Sequence, residues 1–138
     1  MIPQSKKALL FTDGGSRGNP GPAAIGYIFY LNGSKVLSKG KKIGITTNNI
    51  AEYTALIEGL KDVLSTGFSQ KLLCFLDSEL VVKQLNGQYK VKNIKLRPLF
   101  FKVLDLSQSF KKVDFIHIPR FKNKEADTLV NKALDNFI

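Results

Sequence analysis

KALLFT (residues 7–12), DGGSRGNPGP (13–22) and AAIGYIFYL (23–31) together decide how this chain folds. The first stretch is an apolar run of strand character, and it enters a segment dominated by glycine, proline and asparagine that reads as a turn. The third reads as a second strand. Asn32-Gly33, a hairpin dipeptide, then joins it to another strand, KVLSKGKKI (35–43). Three strands joined by short turns make an antiparallel meander.

The period changes after that. Tyr53, Leu56, Ile57, Leu60, Val63 and Leu64 form an apolar stripe at helical spacing, so residues 49–65 read as a helix with Gly67 as its stop. LLCFL (72–76) is apolar throughout, as in a strand covered on both faces. A short helix follows and ends near Asn86-Gly87. Residues 96–109 read as another helix, with Pro98 in its first turn. Lys112 to Ile118 is the last strand, closed by Pro119. The final helix carries Ala126, Leu129, Val130, Ala133, Leu134 and Phe137 on one stripe, with Asn123 as its N-cap. The order β-β-β-α-β-α-α-β-α predicts an α/β fold with a mixed sheet. The meander supplies the antiparallel part, and helical crossovers return the chain to parallel strands.

A length of 138 residues, 43% hydrophobic and 23% charged, suits one globular domain over residues 1–138. No apolar stretch reaches membrane-span length, and MIPQSKK at the start has no apolar signal region. The single cysteine, Cys74, excludes an intrachain disulfide and fits the reducing cytoplasm. The formal charge is +10, and the basic excess is larger still outside the acids considered next. Charge alone leaves two readings level: a polyanionic partner, or a lysine-rich solvated surface.

Four acids stand where elements begin or end: Asp13, Glu52, Asp77 and Asp127. Singly, each has an ordinary role. Asp13 suits an Asp-Gly turn, Asp77 a helix N-cap, and Glu52 and Asp127 first-turn positions favoured by the helix dipole. Four convergent carboxylates, however, repel one another unless divalent cations sit among them. Hard oxygen donors of that kind suit Mg²⁺ or Mn²⁺, which retain water and take up phosphate oxygens. The set points to a metal-dependent phosphodiester enzyme. Gly14-Gly15 would let backbone N–H groups approach a phosphate or ribose closely.

The words around these acids are DGGSRGNPGPAAIGY, TTNNIAEYTALIEGL, DSELVVKQL and HIPRFKNKEADTLVNKAL. They resemble, in order, the four blocks of type 1 ribonuclease H, over about residues 7–136, and are closest to compact archaeal-type and bacterial homologues. The resemblance implies a ribonuclease H-like fold with a five-stranded mixed sheet flanked by helices. It also implies an Asp-Glu-Asp-Asp site for two Mg²⁺ ions, with Mn²⁺ as a substitute. Asp13 would bridge both ions, Glu52 and Asp77 would complete one side, and Asp127 the other. Such endonucleases hydrolyse the RNA strand of an RNA–DNA hybrid and leave 5′-phosphate and 3′-hydroxyl ends. Gly14, Gly15 and Ser16 match a segment that touches RNA. Asn19 and Asn48 match asparagines that read the minor groove, and Thr47 a threonine contacting DNA phosphate. Residues 46–49 also suit helix capping. The implied partner is hybrid nucleic acid, met by a monomer with no protein partner and no membrane.

Three features depart from the family pattern. His117 lies ten positions before Asp127 but precedes Pro119, where relatives place their loop histidine after the proline. We therefore read His117 as structural and Arg120 as the residue that assists product release or leaving-group chemistry. Residues 88–98 are too short for a basic protruding helix, which leaves Lys90, Lys92, Lys95 and Arg97 as a smaller basic patch or as solvated surface. Glu79 replaces a glutamine of many relatives, and would either repel phosphate or face solvent. Three rival readings remain: an inactive hybrid-binding module, a DNA-cleaving enzyme of the same fold, and a basic protein that binds by charge alone.

Overall fold

The computed structural model describes residues 7–136, so Phe137, the last position of the predicted final stripe, lies outside the described residues. Three strands come first: β1 (Ala8–Ser16), β2 (Gly21–Leu31) and β3 (Ser34–Thr46). Then follow α1 (Asn48–Ser65), β4 (Lys71–Leu76), α2 (Glu79–Leu85), α3 (Arg97–Ser107) and β5 (Lys112–His117). A 3-10 turn, Arg120–Lys122, leads into α4 (Lys124–Leu134). One five-stranded sheet runs in the order β3-β2-β1-β4-β5. The β1–β2 and β2–β3 pairs are antiparallel, and β4 lies parallel to both β1 and β5. The expected mixed sheet is present.

Two boundaries differ in a way that moves the site. The sequence reading ends the first strand at Thr12, but β1 continues through Asp13, Gly14, Gly15 and Ser16, paired with Gly26, Ile25, Ala24 and Ala23. Glycine has poor strand propensity, yet a neighbouring strand in register supplies the backbone partners that propensity scales ignore. The turn shrinks to its tip and is closed by the Arg17 amide donating to the Pro22 carbonyl at 2.8 Å. Asp13 is therefore a residue within a strand rather than a turn residue. The long helix begins at Asn48, so Glu52 falls just beyond its first turn, and its acid is not placed there by the helix dipole.

The two faces of the sheet are covered unequally. Leu10, Ile25, Phe29, Leu72, Cys74 and Leu76 pack with α1 and α3 residues in the main core. The opposite face is covered by α4 over β1, β2 and β3, where Ala24, Val130 and Ala133 are buried together. Leu73 and Phe75, which point to this second face of β4, are only half-buried, so β4 is fully covered on one face and not on both.

Two glycines let the helices come close. A Cβ on Gly14 would stand 2.2 Å from the Ala51 carbonyl oxygen, and one on Gly26 would stand 2.7 Å from the Ala126 carbonyl oxygen. The first contact brings α1 onto β1 beside Asp13. The second brings the start of α4 onto β2 opposite it.

Candidate active site

Those close approaches assemble the acids. Asp13 projects from β1 on the face that α4 covers, and it is 8% exposed. Glu52 reaches it from α1 and is 6% exposed, with its Oε1 accepting the Gly14 amide at 2.6 Å. Asp77 follows β4, half-buried, on the strand adjacent to β1. It does not cap α2, because Ser78 does that by accepting from the Val81 amide at 3.3 Å. Asp13, Glu52 and Asp77 each present a carboxylate oxygen within 4.8 Å of the others.

Asp127 lines the same open cleft of about 450 Å³ but stands outside that group of three. Its Oδ1 accepts from Arg120 Nη2 at 3.3 Å. Arg120, exposed on the 3-10 turn, also lines the cleft. His117 is the exposed last residue of β5 and is not among the lining residues. Glu79 is exposed and pairs with Lys83 at 2.7 Å, so its charge is already met within α2.

The electrostatics follow from this packing. Burial pushes the Asp13 carboxyl up to about 7; a proton shared with Glu52 acts against that rise, and the Asp77 and Asp127 charges add to it. Burial, followed by repulsion from Asp13, holds Glu52 well above the usual carboxylate range. Glu52 Oε2 is buried, and no N–H or hydroxyl among the described residues donates to it. An orphaned carboxylate oxygen beside two more acids is costly for the protein alone, and a hard divalent cation removes that cost. The all-oxygen donor set fits such a cation.

A polar layer borders the acids. Asn48 Oδ1 accepts from the Ser16 amide at 2.9 Å and the Ser16 hydroxyl at 3.1 Å, while Asn19 Oδ1 accepts the Asn48 amide at 3.0 Å. Thr47 caps α1 by accepting from the Ile50 amide at 3.3 Å. Gly14, Gly15, Ser16 and Asn48 line the cleft; Asn19, exposed, and Thr47 are not among its lining residues. The expected N-cap Asn123 makes no capping bond, and its side chain turns inward to Thr12 and Asp77 instead. Capping asparagines and buried asparagines look alike in sequence; here the buried acceptors on β1 and beside β4 win over the helix end.

With this geometry established, comparison with known proteins gives a consistent result. The reverse transcriptase-like family profile matches residues 11–133. The chain is similar to the bifunctional protein Rv2228c of Mycobacterium tuberculosis, 41% identical over 94% of this chain and 36% of that protein. It is 42% identical to ribonuclease HI of Halobacterium salinarum, over 91% of this chain and 63% of the relative. It thus spans a little over a third of the first relative's length and under two thirds of the second's. Among solved structures, LC11-RNase H1 in complex with an RNA/DNA hybrid superposes with a TM-score of 0.90 at 42% identity, covering 94% of this chain and 98% of the other. Sheet order, clustered acids and these similarities converge: the chain belongs to the type 1 ribonuclease H family.

Proposed function

We propose that this chain hydrolyses the RNA strand of RNA–DNA hybrids endonucleolytically, with two Mg²⁺ ions at the acidic cluster and Mn²⁺ as a substitute. The observation that carries this reading is the cluster of Asp13, Glu52 and Asp77, each with a carboxylate oxygen within 4.8 Å of the others, beside the Gly14–Ser16 segment that lines the same cleft. The LC11 relative, solved with an RNA/DNA hybrid, supports the choice of substrate.

When bound, divalent ions supply an activated water and polarise the phosphate for in-line displacement. The chain's own residues prepare that step. Asp13 would face both ions from β1, Glu52 and Asp77 would complete one side, and Asp127 the other. The Gly14 amide holds Glu52 Oε1, and no donor among the described residues engages Oε2, which leaves that oxygen available to a cation. Arg120 places a cation at the rim beside Asp127, positioned to meet phosphate or the departing 3′-oxygen. The Oδ1 atoms of Asn19 and Asn48 are engaged within the protein, so their NH₂ groups remain to donate. Donors of that type suit minor-groove acceptors and 2′-hydroxyls, which distinguish RNA from DNA. Residues 1–138 would act as one domain and as a monomer in the cytoplasm. Among the described residues no helix is long and apolar enough to cross a membrane.

Incubation with end-labelled hybrid, with and without divalent metal and read on a sequencing gel, tests the proposal. Metal-dependent cuts confined to the RNA strand are expected, and an intact hybrid in the presence of metal would overturn it. In the same assay under single-turnover conditions, Arg120→Ala is expected to slow cleavage by on the order of tenfold or more. His117→Ala is expected to retain most of the rate, and a collapse there with folding intact would move the catalytic role to β5.

A further inference from the structure

Asn123 is 1% exposed and lies between the 3-10 turn and α4. Its side-chain Nδ2 donates to the Thr12 carbonyl at 2.9 Å and to Asp77 Oδ2 at 3.2 Å. Thr12 immediately precedes Asp13 on β1. The Asn123 carbonyl accepts the Asp127 amide at 3.1 Å. One buried residue therefore touches Asp77, the backbone next to Asp13, and the backbone of Asp127.

The direction of the amide is set by its neighbours. Turning it over would aim Oδ1 at a carbonyl and a carboxylate, two groups that only accept. In the orientation observed, Oδ1 is buried without a partner among the described residues. A residue present for packing alone would avoid that loss, since an unsatisfied buried acceptor is destabilising where an apolar side chain of similar size is not. The two donated bonds, and what they orient, offset it.

We propose that Asn123 is a positioning residue of the metal centre. Its amide anchors one oxygen of Asp77, leaves the other to face the cation, and holds that carboxylate in register with Asp13 and Asp127. The inference rests on the metal reading of the acidic cluster given above. Its physical basis is that a polar group behind a ligand fixes the ligand's orientation before the ion arrives, and removing such a group lowers metal affinity.

The test compares Asn123→Leu, close to isosteric but without donors, with Ala133→Gly, which loosens α4 in the small cluster with Ala24 and Val130, away from the acids. Melting temperature, Mn²⁺ affinity by calorimetry without nucleic acid, and kcat and KM on hybrid are measured for each. Both variants should melt lower than wild type. Asn123→Leu alone should bind Mn²⁺ roughly 10- to 100-fold more weakly, with kcat reduced and KM for hybrid little changed. An affinity loss no larger than that of Ala133→Gly would overturn the proposal. If Asn123→Leu does not fold, Asn123→Ser decides, since one hydroxyl proton cannot serve both acceptors: weakened Mn²⁺ binding supports the role and wild-type affinity removes it. Wild-type protein that binds Mn²⁺ yet leaves hybrid intact would refute the ribonuclease activity and not this inference. Wild-type protein that binds no Mn²⁺ would refute both.

Discussion

Asp13 is kept in a place that works against its own ionisation. Its carboxyl moves from 3.8 to about 7 in the fold, chiefly through burial. Between those values the folded chain still holds a proton that the unfolded chain has released, so this group lowers stability as pH rises from about 4 to about 7. Metal-free Asp13→Asn protein should therefore gain melting temperature relative to wild type at pH 8 and lose that gain at pH 4. Divalent cation should raise the wild-type melting temperature more at pH 8 than at pH 5, because it competes with protons for the same oxygens. The same substitution should lower cleavage by orders of magnitude. Parallel melting-versus-pH curves for the two proteins, or near wild-type turnover by the variant, would contradict the assignment. The structure gathers Asp13, Glu52 and Asp77 and sets Asp127 along the same cleft, and all four were nameable as candidates from the sequence because each sits inside a distinctive local word. Asn123 was not, because its role depends on acceptors 46 and 111 residues away along the chain.

The contact between β1 and α1 sets the spacing of the site. Apolar periodicity locates both elements, and the meander followed by crossovers is enough to predict the mixed sheet. What periodicity does not show is where β1 stops, because Gly14-Gly15 carries the signal of a turn while its pairing with Ile25 and Ala24 makes it a strand. The consequence is testable. A methyl group on Gly14 meets backbone at 2.2 Å, whereas one on Gly15 finds its nearest neighbour, Val130 Cγ1, at 3.9 Å. Gly14→Ala should thus push α1 off β1 and destabilise by about 1–3 kcal/mol, as overpacking against a rigid backbone does. Gly15→Ala should stay within about 0.5 kcal/mol of wild type. Urea unfolding of the metal-free proteins reads both, and equal stabilities would mean that α1 does not press on β1 as closely as the structure shows. Mn²⁺ affinity should fall in Gly14→Ala as well, since the Gly14 amide holds Glu52.

At the scale of the molecule, the +10 charge is divided unevenly. Lys35, Lys39 and Lys41 on β3 pair with Glu125, Asp62 and Glu58, and Lys71 and Lys112 share Asp114. Lys90, Lys92 and Lys95, in the loop between α2 and α3, have no acidic partner among the described residues and are all exposed. Paired lysines already have local counter-charges, so the loop lysines should contribute more to binding a phosphate backbone. Hybrid binding should weaken steeply with salt, because each neutralised phosphate releases condensed counterions whatever the sequence. Replacing Lys90, Lys92 and Lys95 together by alanine should raise KM at low salt and flatten that dependence, while Lys39→Ala should leave the slope close to wild type. Selectivity should behave differently. If the Asn19 and Asn48 NH₂ groups read 2′-hydroxyls, a DNA duplex forfeits those bonds at about 1–3 kcal/mol each, a loss that added salt does not repair; the Gly14 amide, engaged by Glu52, is not among those readers. Parallel cleavage of matched RNA–DNA, RNA–RNA and DNA–DNA duplexes across a salt series should then show absolute rates falling while the preference for hybrid over DNA persists. Comparable rates on hybrid and DNA duplex at any salt concentration would make this chain a general nuclease built on the ribonuclease H fold.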